Sequence, residues 1–135
     1  MEEAEGCRRQ MNSGYRGYRD LKVYQVSYSL AQEIFETTKS FPPEERYSLT
    51  DQIRRSSRSI PANIAEAWRK RKYEKAFVSK LVDCSAETAE VEVWLDMCKD
   101  CKYMNSERHE YLMMKFEEVG KMLHSMIDQP EKFCH

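Results

Sequence analysis

Apolar residues recur at steps of three and four along four successive segments of the chain, and this period predicts four amphipathic α-helices. The segments cover about residues 20–39, 48–70, 73–102 and 105–129. Asp20 and Asn105 (or Ser106) are suitable N-caps for the first and fourth helices. Proline residues end the first and fourth helices, and Pro61 inside the second predicts a kink.

The third segment carries the strongest pattern, because its apolar positions alternate by four and three over three heptads, as in a bundle or coiled coil. The residues predicted to face the core are, helix by helix, Leu21, Tyr24, Tyr28, Ala31, Phe35 and Thr38; Leu49, Ile53, Ser56, Ile60, Ile64 and Ala67; Phe77, Leu81, Cys84, Thr88, Val91, Leu95 and Cys98; and Leu112, Phe116, Val119, Leu123 and Met126. Short connections make consecutive helices antiparallel neighbours. The sequence therefore predicts an all-α, antiparallel up-down four-helix bundle.

The predicted bundle occupies residues 19–130, between a flexible N-terminal arm (1–18) and a C-terminal tail (131–135). The arm holds three of the four glycines and shows no apolar period. Several large apolar side chains fall outside the core stripes: Trp94, Met97, Tyr111, Met113, Met114 and Met122. A second apolar surface on a bundle helix indicates another surface to cover, so we expect a homo-oligomer.

Composition narrows the class of protein. The 135 residues carry a formal net charge of −1, so the chain lacks the overall basic field of many nucleic-acid binders. No apolar run is long enough to span a membrane, and the acidic start does not resemble a signal peptide. Five cysteines, an odd count, indicate reduced thiols. We expect a cytoplasmic protein with no membrane partner.

The charge is nevertheless uneven. Residues 42–72 hold eight Lys or Arg and four Asp or Glu, a net of +4, whereas residues 73–102 have a net of −3. The candidate nucleic-acid-binding residues are Arg54, Arg55, Arg58, Arg69, Lys70, Arg71 and Lys72. They fit a phosphate-binding patch. Alternatively, the last four offset the helix macrodipole and the arginines pair with Asp83, Glu87 and Glu90 of the third helix.

The stretch YRDLKVYQVSYSLAQEIFETTKSFPPEERYSLTDQIRRSSRSIPANIAEAW, followed by AETAEVEVWLDMCKDCKYM, resembles the bacterial four-helix-bundle family of 23S rRNA intervening-sequence proteins. Its most specific block includes Pro61, Asn63 and Glu66, a structural signature. The resemblance implies a ring-shaped homopentamer without known catalysis or cofactor. It also implies distant kinship to retroelement accessory proteins, which bind a reverse transcriptase and its RNA. Ala67 and Lys102 stand where the family usually has glycine.

Catalytic and metal-binding constellations are weak in this sequence. A bundle metal centre needs Glu-x-x-His pairs, and none occurs. Cys98-x-x-Cys101 is a lone pair at a predicted helix C-terminus, where the dipole disfavours a thiolate. Ser56, Ser57 and Ser59 lack the glycines of a nucleophile elbow. We therefore expect no enzyme activity, no metal and no cofactor.

Two functional hypotheses remain. The first is a non-catalytic homo-oligomer, a pentamer by resemblance, that binds RNA or a nucleoprotein partner such as a reverse transcriptase complex. The alternative is a protein–protein interaction scaffold with no nucleic-acid role, presenting an acidic and apolar surface.

Overall fold

The computed structural model describes residues 14–134, and within them it contains four α-helices and no β-strand. The helices are α1 (Lys22–Thr38), α2 (Leu49–Arg69), α3 (Glu74–Asp100) and α4 (Ser106–Asp128). Short 3₁₀ helices lie outside them at Tyr18–Asp20, Pro43–Glu45 and Pro130–Lys132. The all-α class is confirmed. Most of the predicted arm lies outside the described residues, as does His135 of the predicted tail.

Each helix packs against two neighbours, and together they enclose one hydrophobic core. α2 contacts α1 and α3, and α4 contacts α3 and α1. Within residues 14–134, no comparable contacts join α1 to α3 or α2 to α4. This closed cycle of contacts is the arrangement of a four-helix bundle. The predicted core stripes of α2, α3 and α4 are confirmed, because every residue in them is buried.

The core-facing side of α1 was predicted wrongly in part. Tyr28 is 52% exposed, and Tyr24 and Phe35 are only half-buried. The buried residues of α1 are Val23, Ser27, Leu30, Ala31, Ile34 and Thr38. Two apolar stripes overlap on this helix, and the aliphatic one fills the dry interior, since a tyrosine keeps its hydroxyl near water.

The predicted N-cap of α4 is confirmed, and the predicted N-cap of α1 is wrong. Asn105 caps α4, because its side chain accepts the backbone N–H of Arg108 at 2.7 Å. Asp20 does not cap α1. Its carboxylate accepts the backbone N–H of Arg16 at 2.6 Å, and the helix begins after Leu21 without a side-chain cap.

The C-terminus of α3 has a backbone geometry that favours glycine at position 102. The backbone N–H of Tyr103 bonds to the carbonyl of Cys98, and that of Lys102 bonds to the carbonyl of Lys99, both at 2.9 Å. These two bonds define a Schellman motif, which requires a left-handed residue after the helix. Lys102 fills that position with a φ of 65°. A side chain there strains the backbone, whereas glycine does not.

Lys102→Gly should therefore stabilise the protein by about 1 kcal/mol. The gain is measurable as a higher midpoint in urea denaturation followed by circular dichroism. Lys99→Gly is the matched control: it makes the same change inside the helix and should destabilise by about 1 kcal/mol. A Lys102→Gly variant no more stable than the wild type would contradict this account of the turn.

Candidate nucleic-acid interface

The seven candidate cations fall into two groups along α2. Arg54, Arg55 and Arg58 lie in the middle of the helix, and the other four lie at its C-terminal end. Arg69 lies eleven positions after Arg58, which corresponds to about 16 Å along a helix. The two groups therefore cannot form one compact phosphate site within a single chain.

The middle group is partly committed to packing. Arg54 donates from Nε to Thr38 Oγ1 at 2.7 Å and from Nη2 to the carbonyl of Phe35 at 3.4 Å. The guanidinium groups of Arg54 and Arg58 lie 4.7 Å and 5.3 Å from the centroid of the Phe35 ring. These cation–π and hydrogen-bond contacts tie α2 to α1. Arg55 and Arg58 are both exposed, whereas Arg54 is half-buried.

The alternative pairing with α3 is not found within one chain. Among residues 14–134, no ion pair joins the three mid-helix arginines to the carboxylates of Asp83, Glu87 or Glu90. Burial and the neighbouring Glu90 raise the pKa of Glu87, and the charge of Arg55 offsets only part of this. Pairing between subunits stays a prediction.

At the end of α2 the structure adds cations that the sequence analysis missed. One cleft of about 520 Å³ is lined by Trp68, Arg69, Arg71 and Lys72. A second of about 340 Å³ is lined by Arg16, Gly17, Tyr18, Arg19, Asp20, Trp68 and Arg69. The clefts adjoin, because they share Trp68 and Arg69. We call Arg16, Arg19, Arg69, Lys70, Arg71 and Lys72 the basic end.

Among the described residues that line these two clefts, Asp20 is the one with a carboxylate, and it already accepts the N–H of Arg16. The basic end is therefore strongly cationic where its clefts open. Arg16 and Arg19 escaped the sequence analysis because their segment has no helical period from which to place it. Their arginine-rich composition was the one available signal.

An aromatic cluster lies between the basic end and the hydrophobic core. The Arg71 guanidinium lies 3.6 Å from the centroid of the Trp68 ring, and Trp68 is buried. Tyr15 packs edge-on against Trp68 at 5.9 Å and stacks on Phe133 at 6.1 Å. Phe133 stacks in turn on Phe77 of the core at 6.2 Å. The cluster joins both termini of the described chain to the α2–α3 turn.

The three signature residues, Pro61, Asn63 and Glu66, all lie within α2. Pro61 is buried within α2, which continues through it, and Asn63 is half-buried. Glu66 pairs with Lys80 of α3 at 3.0 Å. Pro61 also lines a cleft of about 420 Å³ between α1 and α2, whose walls include Tyr24 and Tyr28. Glu66 thus joins α2 to α3 through an ion pair.

Two cysteine thiols and three serine hydroxyls named in the sequence analysis show no sign of activation. Burial raises the pKa of the Cys84 and Cys98 thiols to about 12, so both stay protonated near neutral pH. The hydroxyls of Ser56, Ser57 and Ser59 donate to carbonyls of their own helix. In the described part of the chain, no three His, Cys, Asp or Glu residues lie close enough to hold a metal ion.

α3 carries a second apolar stripe on the side opposite the core. It consists of Val82, Ala86, Ala89, Val93 and Met97, all exposed. Their steps of four, three, four and four place them on one helix face. Asp83 and Glu90 flank the stripe on one side and Asp96 on the other, and all three are exposed. We call this surface the outer stripe of α3.

The outer stripe extends what the sequence predicted. Met97, Met114 and Tyr111 lie outside the core as expected, with exposed fractions between 36% and 49%. Trp94, Met113 and Met122, which were expected there too, are partly buried and pack against the core. The alanines and valines went unnoticed because each is unremarkable alone. None of the helices among residues 14–134 is both long and apolar enough to cross a membrane.

Fold and surface together define a small all-α bundle with one basic end and one outward apolar helix face. The profile of the family described as 23S rRNA-intervening sequence protein matches residues 19–125, and the chain belongs to this family. It is similar to the crystal structure of a protein of unknown function from the S23 ribosomal protein family of Bacteroides thetaiotaomicron. The identity is 31% over 78% of this chain and 95% of that one, with a TM-score of 0.72. No curated protein matches the chain.

Proposed function

We propose that this protein is a non-catalytic homo-oligomer that binds RNA through its basic end. The observation that carries the proposal is that Arg16 and Arg19 line two adjoining clefts together with three cations of the 69–72 run, Arg69, Arg71 and Lys72. Cations drawn from separate parts of the chain create a local field that the net charge of −1 conceals. Phosphate groups are the natural ligands of such a surface, since guanidinium groups bind them through paired N–H donors.

Stabilisation of the helix dipole explains only part of this arrangement of cations. Cations at the C-terminus of α2 offset the helix dipole, as they do in many helices. That effect reaches the last turn of the helix and gives no reason for Arg16 and Arg19 to line the same surface. The name of the family, 23S rRNA-intervening sequence protein, is consistent with an RNA partner. A reverse transcriptase complex as the nucleoprotein partner rests on the resemblance alone.

For the assembly, we propose an up-down bundle that closes into a homopentameric ring. Short connections support the up-down order, since residues 70–73 join α2 to α3 and residues 101–105 join α3 to α4. The outer stripe of α3 supports self-association. Its acidic flanks complement the exposed Arg55 and Arg58 of a second copy, which fits a head-to-tail contact that closes a ring. A cytoplasmic location and the absence of a cofactor remain part of the proposal.

The same stripe favours the alternative, a protein-interaction scaffold without an RNA role. Acidic residues around an apolar stripe suit a basic amphipathic helix of another protein. In that case the basic end would serve only the stability of the fold.

RNA binding should be measured by filter binding at about 50 and about 200 mM salt, where phosphate contacts differ most. We expect the variant Arg16→Glu/Arg69→Glu/Lys72→Glu to bind at least roughly ten-fold more weakly than the wild type. For this variant, the slope of the logarithm of the binding constant against the logarithm of the salt concentration should be shallower by about two, because three phosphate contacts are lost.

The matched control is Lys39→Glu/Lys99→Glu/Lys121→Glu, which makes the same change of charge at exposed sites away from the basic end. It should keep most of the affinity. Absence of wild-type binding at the lower salt concentration would refute the RNA proposal and leave the scaffold. Equal losses in the two variants would show that overall charge, rather than the basic end, governs binding.

A further inference from the structure

We infer that the basic end takes single-stranded rather than duplex RNA, with an unpaired base stacked on the ring of Tyr73. This inference rests on the proposed RNA function and specifies its substrate. It starts from one aromatic side chain that the core does not use.

Tyr73 is 66% exposed and lies between the basic end and the first residue of α3. Its backbone is held on both sides: its N–H bonds to the carbonyl of Lys70 at 2.9 Å, and its carbonyl accepts the N–H of Phe77 at 3.0 Å. The ring is thus displayed from an ordered turn, so little backbone freedom is lost when a ligand binds.

Other described aromatic rings at this end of the bundle already pack against aromatic partners. Tyr18 packs edge-on against Tyr24 at 5.1 Å, and Tyr15, Trp68, Phe77 and Phe133 form the aromatic cluster. Within the described residues, no aromatic ring stacks against Tyr73, and the ammonium group of Lys72 lies over its ring, with Nζ 5.9 Å from the ring centroid. Tyr73 therefore offers a free π-face beside a row of cations.

A free aromatic face beside phosphate-binding cations suits an unpaired strand. Bases within a duplex are stacked on each other and present only edges and phosphates to a protein. In a single strand, a base can leave its neighbours and stack on an aromatic ring while the backbone follows the cations. A duplex could use the cations of the basic end and would leave the Tyr73 ring in water.

A second exposed tyrosine shows that exposure alone does not make such a site. Tyr47 is 86% exposed, and the guanidinium of Arg46 lies 5.9 Å from its ring centroid, so it resembles Tyr73 locally. The adjoining cleft, however, is lined by the carboxylates of Glu45 and Asp100 and by apolar side chains, which repel a phosphate backbone. Tyr47 lies just before α2 and Tyr73 just after it, about 30 Å apart along the helix.

Tyr47 is therefore the matched control for an anisotropy experiment with fluorescent RNA. The probes are an unstructured RNA of about 12 nucleotides, within the usual length of a single-strand site, and a duplex of equal length. We expect the wild type to prefer the single strand. Tyr73→Leu should bind it at least roughly five-fold more weakly, Tyr73→Phe should bind it as the wild type does, and Tyr47→Leu should not change affinity.

Duplex binding should be equal in all four proteins, and far-ultraviolet circular dichroism should show equal helix content. The inference is overturned if Tyr73→Leu binds the single strand like the wild type, or if it loses single-strand and duplex affinity equally. In both of those cases the RNA proposal survives, because the charge-reversal variant still tests it. If neither probe binds the wild type, both the inference and the RNA proposal fail.

Discussion

Replacing Phe116 with alanine is expected to lower the free energy of unfolding by about 3–5 kcal/mol. Phe116 is completely buried in α4 and belongs to the single core that all four helices share. Removing its ring leaves a cavity that a closely packed interior fills only partly. Because proteins of this size are stable by about 5–15 kcal/mol, the variant should lose a large part of its stability.

Chemical denaturation followed by circular dichroism measures this loss, at a fixed protein concentration in case assembly adds to the apparent stability. Tyr111→Ala is the control, since it removes an aromatic ring from the same helix at a position that is 36% exposed. It should cost much less. A loss below about 1 kcal/mol for Phe116→Ala would contradict the shared core, since aromatic truncation in such a core costs several times more.

The core of α2, α3 and α4 could be predicted because periodicity reports it directly. On α3 the buried positions alternate by four and three without interruption from Phe77 to Cys98. α1 was harder, since an aromatic and an aliphatic stripe share the helix. Periodicity alone does not say which of two apolar faces turns inward. That choice depends on the neighbouring helix, whose Arg54 and Arg58 pack against Phe35 from outside.

The candidate site was predictable only as far as it is local in sequence. The run at 69–72 is visible in the chain, but nothing local indicates that Arg16 and Arg19 join it. The start of α2 shows the same limit. The Glu45 carboxylate accepts hydrogen bonds from the hydroxyl of Ser48 at 2.6 Å, the hydroxyl of Tyr103 at 2.8 Å and the N–H of Leu49 at 3.1 Å. These bonds lower the pKa of Glu45. Because Tyr103 is 58 residues from Glu45 in sequence, this hydrogen bond could be recognised only from the folded structure.

Val93→Glu is expected to convert an assembled protein into monomers. Val93 is 49% exposed within the outer stripe of α3, where it makes no contribution to the core of its own chain. Glutamate is a better helix former than valine, so the folded subunit should remain intact. In an interface between copies, the buried carboxylate would lack a partner and would lie close to Asp96 and Glu90, which carry the same charge. A charge buried without a partner costs about 3–5 kcal/mol, which weakens association by a factor of roughly a hundred or more.

Light scattering after size-exclusion chromatography separates the outcomes, since the chain has a mass of 16.1 kDa and the proposed ring has five times that mass. Ser125→Glu adds the same charge at an exposed position of α4 and should leave the assembly unchanged. A monomeric wild type would refute self-association, and the stripe would then be a surface for another protein.

RNA affinity provides an independent measure of assembly. If a ring presents several basic ends to one RNA, the monomeric variant should bind long RNA much more weakly and a short strand nearly as well, because only the long RNA reaches neighbouring subunits.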